Sequence, residues 1–168
     1  MEARKQQRTV GAIVKVPLEK GFYSYARILH GTSFAFYDIH SKEEITDFAN
    51  IVSSPILFII SVSNYAVTDG RWLKIGKLPL EKNFEVLPPR YVQDLLSPDK
   101  YKIIYSNGTV KQATKNECDG LERFAVWQPL HVEERLADHF ASRKNRHLEQ
   151  MNPDSFRTAK SLKQKIAV

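Results

Sequence analysis

The chain of 168 residues contains one cysteine, Cys118, which excludes an internal disulfide and fits a reducing compartment, so a cytoplasmic protein is expected. It lacks a Gly-x-Ser-x-Gly elbow and a glycine-rich phosphate loop, leaving serine-hydrolase and nucleotide-cradling mechanisms without local support. The longest apolar run, Ile56 to Val62, falls far short of the ~20 residues that span a bilayer, so no membrane partner is expected. The opening stretch through Arg8 has no apolar core, which argues against a signal peptide. No internal repeat is visible, and helical signals are few.

What is present suits a globular fold: 42% hydrophobic and 26% charged residues. The net charge of +6 invites a nucleic-acid reading, but its distribution opposes one. Arg4, Lys5 and Arg8 outweigh Glu2 at one end. At the other, Arg143, Lys144, Arg146, Arg157, Lys160, Lys163 and Lys165 outweigh Glu149 and Asp154. The stretch between is close to neutral, so no nucleic-acid partner is expected. This division predicts a basic N-terminal arm over 1–9 and a single β-rich domain over 10–147. A basic, mobile or weakly helical tail over 148–168 follows, set off by Asn152-Pro153-Asp154.

Strand signals fill the first three quarters. Val10 to Val16, Phe22 to Leu29 and Phe34 to Ile39 are rich in β-branched and aromatic residues. Ile56 to Val62 is a continuous apolar run, the pattern of a strand covered on both faces. Asp69-Gly70 reads as a hairpin turn between Tyr65–Thr68 and Arg71–Ile75, and Asn107-Gly108 as one between Tyr101–Ser106 and Thr109–Gln112. Lys42 to Ile51 has room for a short helix, and Thr114-x-x-Glu117 has capping-box spacing. Pro129 at a first helical position opens the best helix, to about Ala141, with Val132, Leu136 and Phe140 as its packing stripe. The expected fold is mostly β: a twisted antiparallel sheet or partly open barrel with a C-terminal helix packed on it.

Helical spacing places His131, Glu134, Arg135 and Asp138 opposite that stripe, with His139 at its border. Imidazole and carboxylate on one face could bind a divalent metal or move a proton; a solvated face of ion pairs is the alternative. The pattern is not the His-Glu-x-x-His zinc motif, because position 135 is arginine. His30, Asp38 and His40 lie near the ends of the first strands, where His30, Asp38 and His131 would be candidate metal ligands. Tyr37, Trp72 and Trp127 belong to an aromatic set that could line a pocket, anchor a protein partner or pack the core. Cys118 has no activating base nearby in sequence and reads as structural.

Ordered signatures run through the chain. They begin with Gly11-x-Ile13-Val14-x-Val16-Pro17-Leu18, Tyr23-x-Tyr25-Ala26-Arg27-Ile28-Leu29 and Ala35-Phe36-Tyr37-Asp38. Ser54-Pro55-Ile56-Leu57-Phe58 and Gly70-Arg71-Trp72 follow, then Cys118-x-Gly120-Leu121-Glu122-Arg123-x-Ala125-Val126-Trp127-x-Pro129-x-His131-Val132-Glu133-x-Arg135-Leu136-x-Asp138-His139-Phe140. Across roughly 9–147 the chain resembles the bacterial immunity protein 26 family, mostly β, whose label also carries a phosphotriesterase name. The resemblance implies either a cytoplasmic protein that neutralises a cognate toxin by binding it, or a hydrolase of organophosphate triesters. The second names a specific chemistry and places the expectation on phosphotriester hydrolysis, with toxin binding as the alternative. Activated water, with a divalent metal possible, would attack phosphorus. His131, Glu134, Asp138 and His139 would be catalytic, and Tyr37, Trp72, Trp127 and Arg135 would hold the small-molecule triester.

Overall fold

The computed structural model describes residues 4–153. In chain order these form β1 (Ala12–Pro17), β2 (Tyr23–Ile28), β3 (Ser33–Tyr37), α1 (Phe48–Ser53), β4 (Ile56–Val62), α2 (Tyr65–Thr68) and β5 (Leu73–Lys77). Then come β6 (Arg90–Gln93), β7 (Tyr101–Ile104), β8 (Val110–Ala113), β9 (Glu122–Arg123), β10 (Val126–Trp127), α3 (Pro129–Phe140) and α4 (Arg146–Met151). Strands dominate, in two mixed sheets with no closed barrel among the described residues, as the mostly-β reading expects. Of the basic, mobile or weakly helical tail expected over 148–168, the part over 154–168 lies outside the described residues. The stretch 10–147, read from sequence as one domain, is shared between two compact units. One runs to Glu85 and resumes over Ala125–Arg143; the other comprises Val86–Phe124 and continues from Lys144.

The first unit is a six-stranded sheet in the order β10-β4-β3-β2-β1-β5, antiparallel except where β10 runs parallel to β4. Its central strands are buried on both faces, which their near-continuous apolar sequences require. On one face Ile13, Tyr25 and Tyr37 pack with Ile51 of α1. On the other, Phe34 and Phe36 meet the Trp72 ring edge-on at 5.6 and 5.7 Å. Fully buried Arg27 stitches the sheet to the chain beyond β5. Its Nε donates to the Gly11 carbonyl at 2.8 Å, and Nη2 to those of Leu78 and Pro79 at 2.8 and 2.9 Å. Gly11 sits at φ +86°, and a Cβ there would stand 2.6 Å from the Leu78 carbonyl oxygen, so the position admits only glycine.

One expectation changes in this unit. Tyr65–Thr68 is a helical turn, not the first arm of a hairpin: the Val67 and Thr68 N–H groups both donate to the Asn64 carbonyl at 3.0 Å. Asp69-Gly70 closes that turn, and Gly70 N–H donates to Val67 at φ +78°. The basic arm is docked from Gln6 onward. The Gln6 amide donates to the Val67 and Trp72 carbonyls and accepts from Lys74 N–H, all at 2.9 Å. Arg8 donates to the Leu29 and Ser33 carbonyls at 2.9 Å.

The second unit is a four-stranded sheet ordered β8-β7-β6-β9. Asn107-Gly108 makes the expected turn between β7 and β8, with Gly108 N–H donating to the Tyr105 carbonyl at 2.9 Å. Tyr91, Tyr101, Ile103 and Cys118 form its core. Thr114 and Glu117 exchange the two bonds of a capping box, Thr114 N–H to Glu117 Oε2 at 2.7 Å and Glu117 N–H to Thr114 Oγ1 at 3.3 Å. α4 straddles the expected boundary at 147/148 and is capped by Asn145, whose Oδ1 accepts from Leu148 N–H at 2.9 Å.

Candidate functional site

Helix α3 carries most of the residues that sequence spacing singles out. Gln128 is still extended, and Pro129 opens the helix without losing a bonded N–H. Val132 and Leu136 are fully buried against the first sheet, as the stripe predicts.

The polar residues sort differently from expectation. Arg135 is buried, although spacing assigns it to the solvated side. At 3.6 residues per turn it lies only about 60° from Val132, so its stem packs beside the stripe. Its guanidinium stacks 3.7 Å over the Phe58 ring and 5.0 Å from that of Trp127. Glu133, which spacing does not select, is also buried, about 60° from Leu136 on the other flank. Its carboxylate accepts from Arg71 Nε and Nη2 at 2.7 and 2.6 Å and from the Trp72 indole N–H at 2.8 Å. The pairing raises the Arg71 pKa above its ordinary value. The signature segments Gly70-Arg71-Trp72, Phe58 and Glu133-x-Arg135 thus meet in space and clasp α3 to the sheet. The sequence signal was there: an acid one residue from Val132, repeated with Arg135 in the quoted pattern.

The catalytic candidates do not gather in one hollow. His131 and His139 are eight residues apart, about 12 Å along the helix axis. Glu134 and Asp138 are half-buried on the outer side, and Asp138 accepts from Arg143 Nε at 2.9 Å. Arg143 also donates to Glu19 at 2.9 Å, tying the end of α3 to the β1–β2 turn. His139 Nε2 stands 4.0 Å from Asp38 Oδ1, with both side chains half-exposed, a solvated pair of small energetic weight. Beside it Phe22, His40 and Phe140 form a ring stack, with His40 3.9 Å from Phe22 and 4.6 Å from Phe140. Burial lowers the His40 pKa, with Glu19 pulling weakly the other way.

The three metal candidates are spread. His30 lies in the turn before β3 and Asp38 just after it, separated by the strand's length of about 17 Å, while His131 sits in the first turn of α3. Among the described residues no group of three or more His, Cys, Asp or Glu side chains is placed to hold a metal ion. Tyr37, Trp72 and Trp127, candidates for holding an aryl group, are all buried in the sheet's own packing. The Tyr37 hydroxyl is enclosed beside the Arg27 guanidinium, without a hydrogen bond of good geometry; burial raises its pKa, against the polar contact and charge of Arg27. Cys118 is buried, which pushes its thiol pKa up, away from reactivity.

The family model described as immunity protein 26 matches residues 9–102, more than half of the chain. The chain belongs to the immunity protein 26 family. No curated protein and no solved structure matches it. Membership corrects the expected activity: the matching family is one of immunity proteins, and the phosphotriesterase, organophosphate and hydrolase readings fall with it. Glu133 and Arg135 are engaged in holding the helix to the sheet.

Proposed function

We propose that this protein is an immunity protein that binds a cognate bacterial toxin in the cytoplasm and blocks it. The observation that carries the reading is the family match over 9–102, which spans the whole of β1 to β6. The geometry supports it in a second way. A binder needs a rigid scaffold that presents surface groups, and the doubly covered sheet with its clasped helix supplies one. The test is co-expression with the product of the neighbouring open reading frame. The expected result is rescue of growth and a complex that survives purification. Toxicity unchanged by co-expression, with no complex formed, would overturn the reading.

A further inference from the structure

A strand edge is a row of unpaired backbone donors and acceptors, and this chain blunts two of its own. At β5, Gln6 Oε1 accepts the outward Lys74 N–H at 2.9 Å and the Gln6 amide donates to the Trp72 carbonyl, so the docked arm covers that edge. At β8, exposed Lys111 pairs with Glu117 at 3.2 Å and places charge there. β4 has neither device. It pairs β3 on one side, but on the other β10 is two residues long and reaches only Ser61 and Val62. Beside Ile56–Ile60 no strand pairs among the described residues, and from Ser53 to Asn64 the sequence holds no charged residue.

Register fixes which groups point into that gap. Val62 N–H donates to the Thr32 carbonyl directly opposite at 3.1 Å, so Ile60 and Phe58, two and four residues back, also bond β3. Ile59, between them, turns its N–H and C=O away. A bulge follows, since Phe58 stands opposite Phe36 but Ile56 opposite Tyr37. Past it the Pro55 carbonyl accepts the Asp38 N–H at 2.7 Å, which leaves Ile56 turned outward. The gap thus presents two N–H and two C=O groups on a strand whose residues from Ile56 to Ile59 are exposed or half-buried.

The chemistry of that row selects the occupant. Another extended backbone supplies donors and acceptors at strand spacing, and its side chains beside Ile56 must be uncharged, because the edge itself carries no counter-charge. A second copy does not fit. Antiparallel self-pairing over the whole of 56–60 centres on Phe58 and sets the second copy's Ser61 opposite Pro55. The second copy's β10 runs beside that Ser61 on the same edge and would occupy the line of Ser54 and Pro55.

Resting on the toxin-binding reading, we propose that an extended, apolar strand of the toxin adds to β4 beside Ile56–Ile60, end to end with β10. The experiment is calorimetric titration of the purified neighbouring product with the full chain and three variants, joined to hydrogen exchange of the chain alone and in the mixture. Ile59→Pro deletes the outward N–H and no bond to β3, and Ile56→Lys puts a charge at a position already 37% exposed. Val110→Lys, on the edge of the second sheet, is the control, and circular dichroism verifies that each variant is folded. The expected result is binding by the natural chain, weakened at least about tenfold by Ile59→Pro and by Ile56→Lys and unchanged by Val110→Lys. The Ile56 and Ile59 amides, quick to exchange in the free chain, should become protected in the mixture. Natural-strength binding by both edge variants, or amides left unprotected in the complex, overturns the strand addition and leaves the toxin-binding reading intact. Absence of binding by the natural chain overturns that reading and the added strand with it. Should the free natural chain sediment as a dimer that Ile56→Lys dissolves, the occupant is a second copy and the toxin assignment fails.

Discussion

Replacing Glu133 with alanine removes an acceptor that serves three donors, and the structure indicates what each loss is worth. Trp72 is 0% exposed, so its indole N–H would be left without a partner, at a cost of about 1–3 kcal/mol. The two Arg71 bonds are charge-assisted and bidentate, but the Arg71 side chain is 43% exposed and water reclaims it, which discounts them to about 1 kcal/mol together. The sum is about 3 kcal/mol, a large share of the roughly 5–15 kcal/mol that stabilises a natural domain. Glu133→Gln keeps an acceptor for the indole and loses only the charge, so about 1 kcal/mol is expected. Arg71→Ala should cost about 1 kcal/mol alone and almost nothing more once Glu133 is alanine, because its partner is already gone. Urea unfolding followed by tryptophan fluorescence measures the four variants against the natural chain, since Trp72 and Trp127 are both buried in the first unit. If Glu133→Ala costs under about 1 kcal/mol, or as little as Glu133→Gln, the carboxylate is not what holds α3 and the reasoning is refuted.

Arg135→Ala, by stripping the cation from the Phe58 and Trp127 rings along with the packed stem, should lower stability by about 2 kcal/mol in the same assay; no change in midpoint would count against it. Gly11→Ala forces a side chain into a left-handed conformation against the Leu78 carbonyl and should cost about 1–3 kcal/mol. For His40, burial lowers the folded-state pKa, so the unfolded chain takes up the proton first as pH falls. Its contribution is therefore present above its ordinary pKa of about 6.5 and is lost as pH drops through the lower folded value. An NMR titration of the ring should give a midpoint below about 6.5, and a midpoint at or above that value contradicts partial shielding of the exposed ring by Phe22 and Phe140. Cys118 should react with a thiol reagent only as fast as the second unit opens; rapid modification of the folded protein would show the thiol to be accessible.

Local features of the fold were readable where a short segment decides its own conformation. Pro129 starts a helix because its missing N–H is one the first turn does not use, and Asn107-Gly108 turns because Gly108 takes the required positive φ of 86° while Asn107 Oδ1 accepts from Thr109 N–H. Tyr65–Thr68 misled because its composition is that of a strand, while its N–H groups find carbonyls one turn back and Gly70 ends the turn. The ligand and catalytic groupings were not legible in the sequence, because spacing along a helix or strand gives direction but not reach. His131 and His139 share a helix yet sit two turns apart, and His30 and Asp38 flank one strand at opposite ends.

By itself the sequence determined the class of the fold, most of the places where the chain turns, and the family to which it belongs, since strand-favouring composition, turn chemistry and ordered signatures are all properties of neighbouring residues. Only the tertiary structure decided what the signatures are for. It brings Arg71 and Trp72 onto Glu133 across sixty-odd residues, and sets Arg135 over Phe58. Burial of a charge is favourable only when distant partners arrive to satisfy it, and which partners arrive is fixed by how the strands are ordered in the sheet.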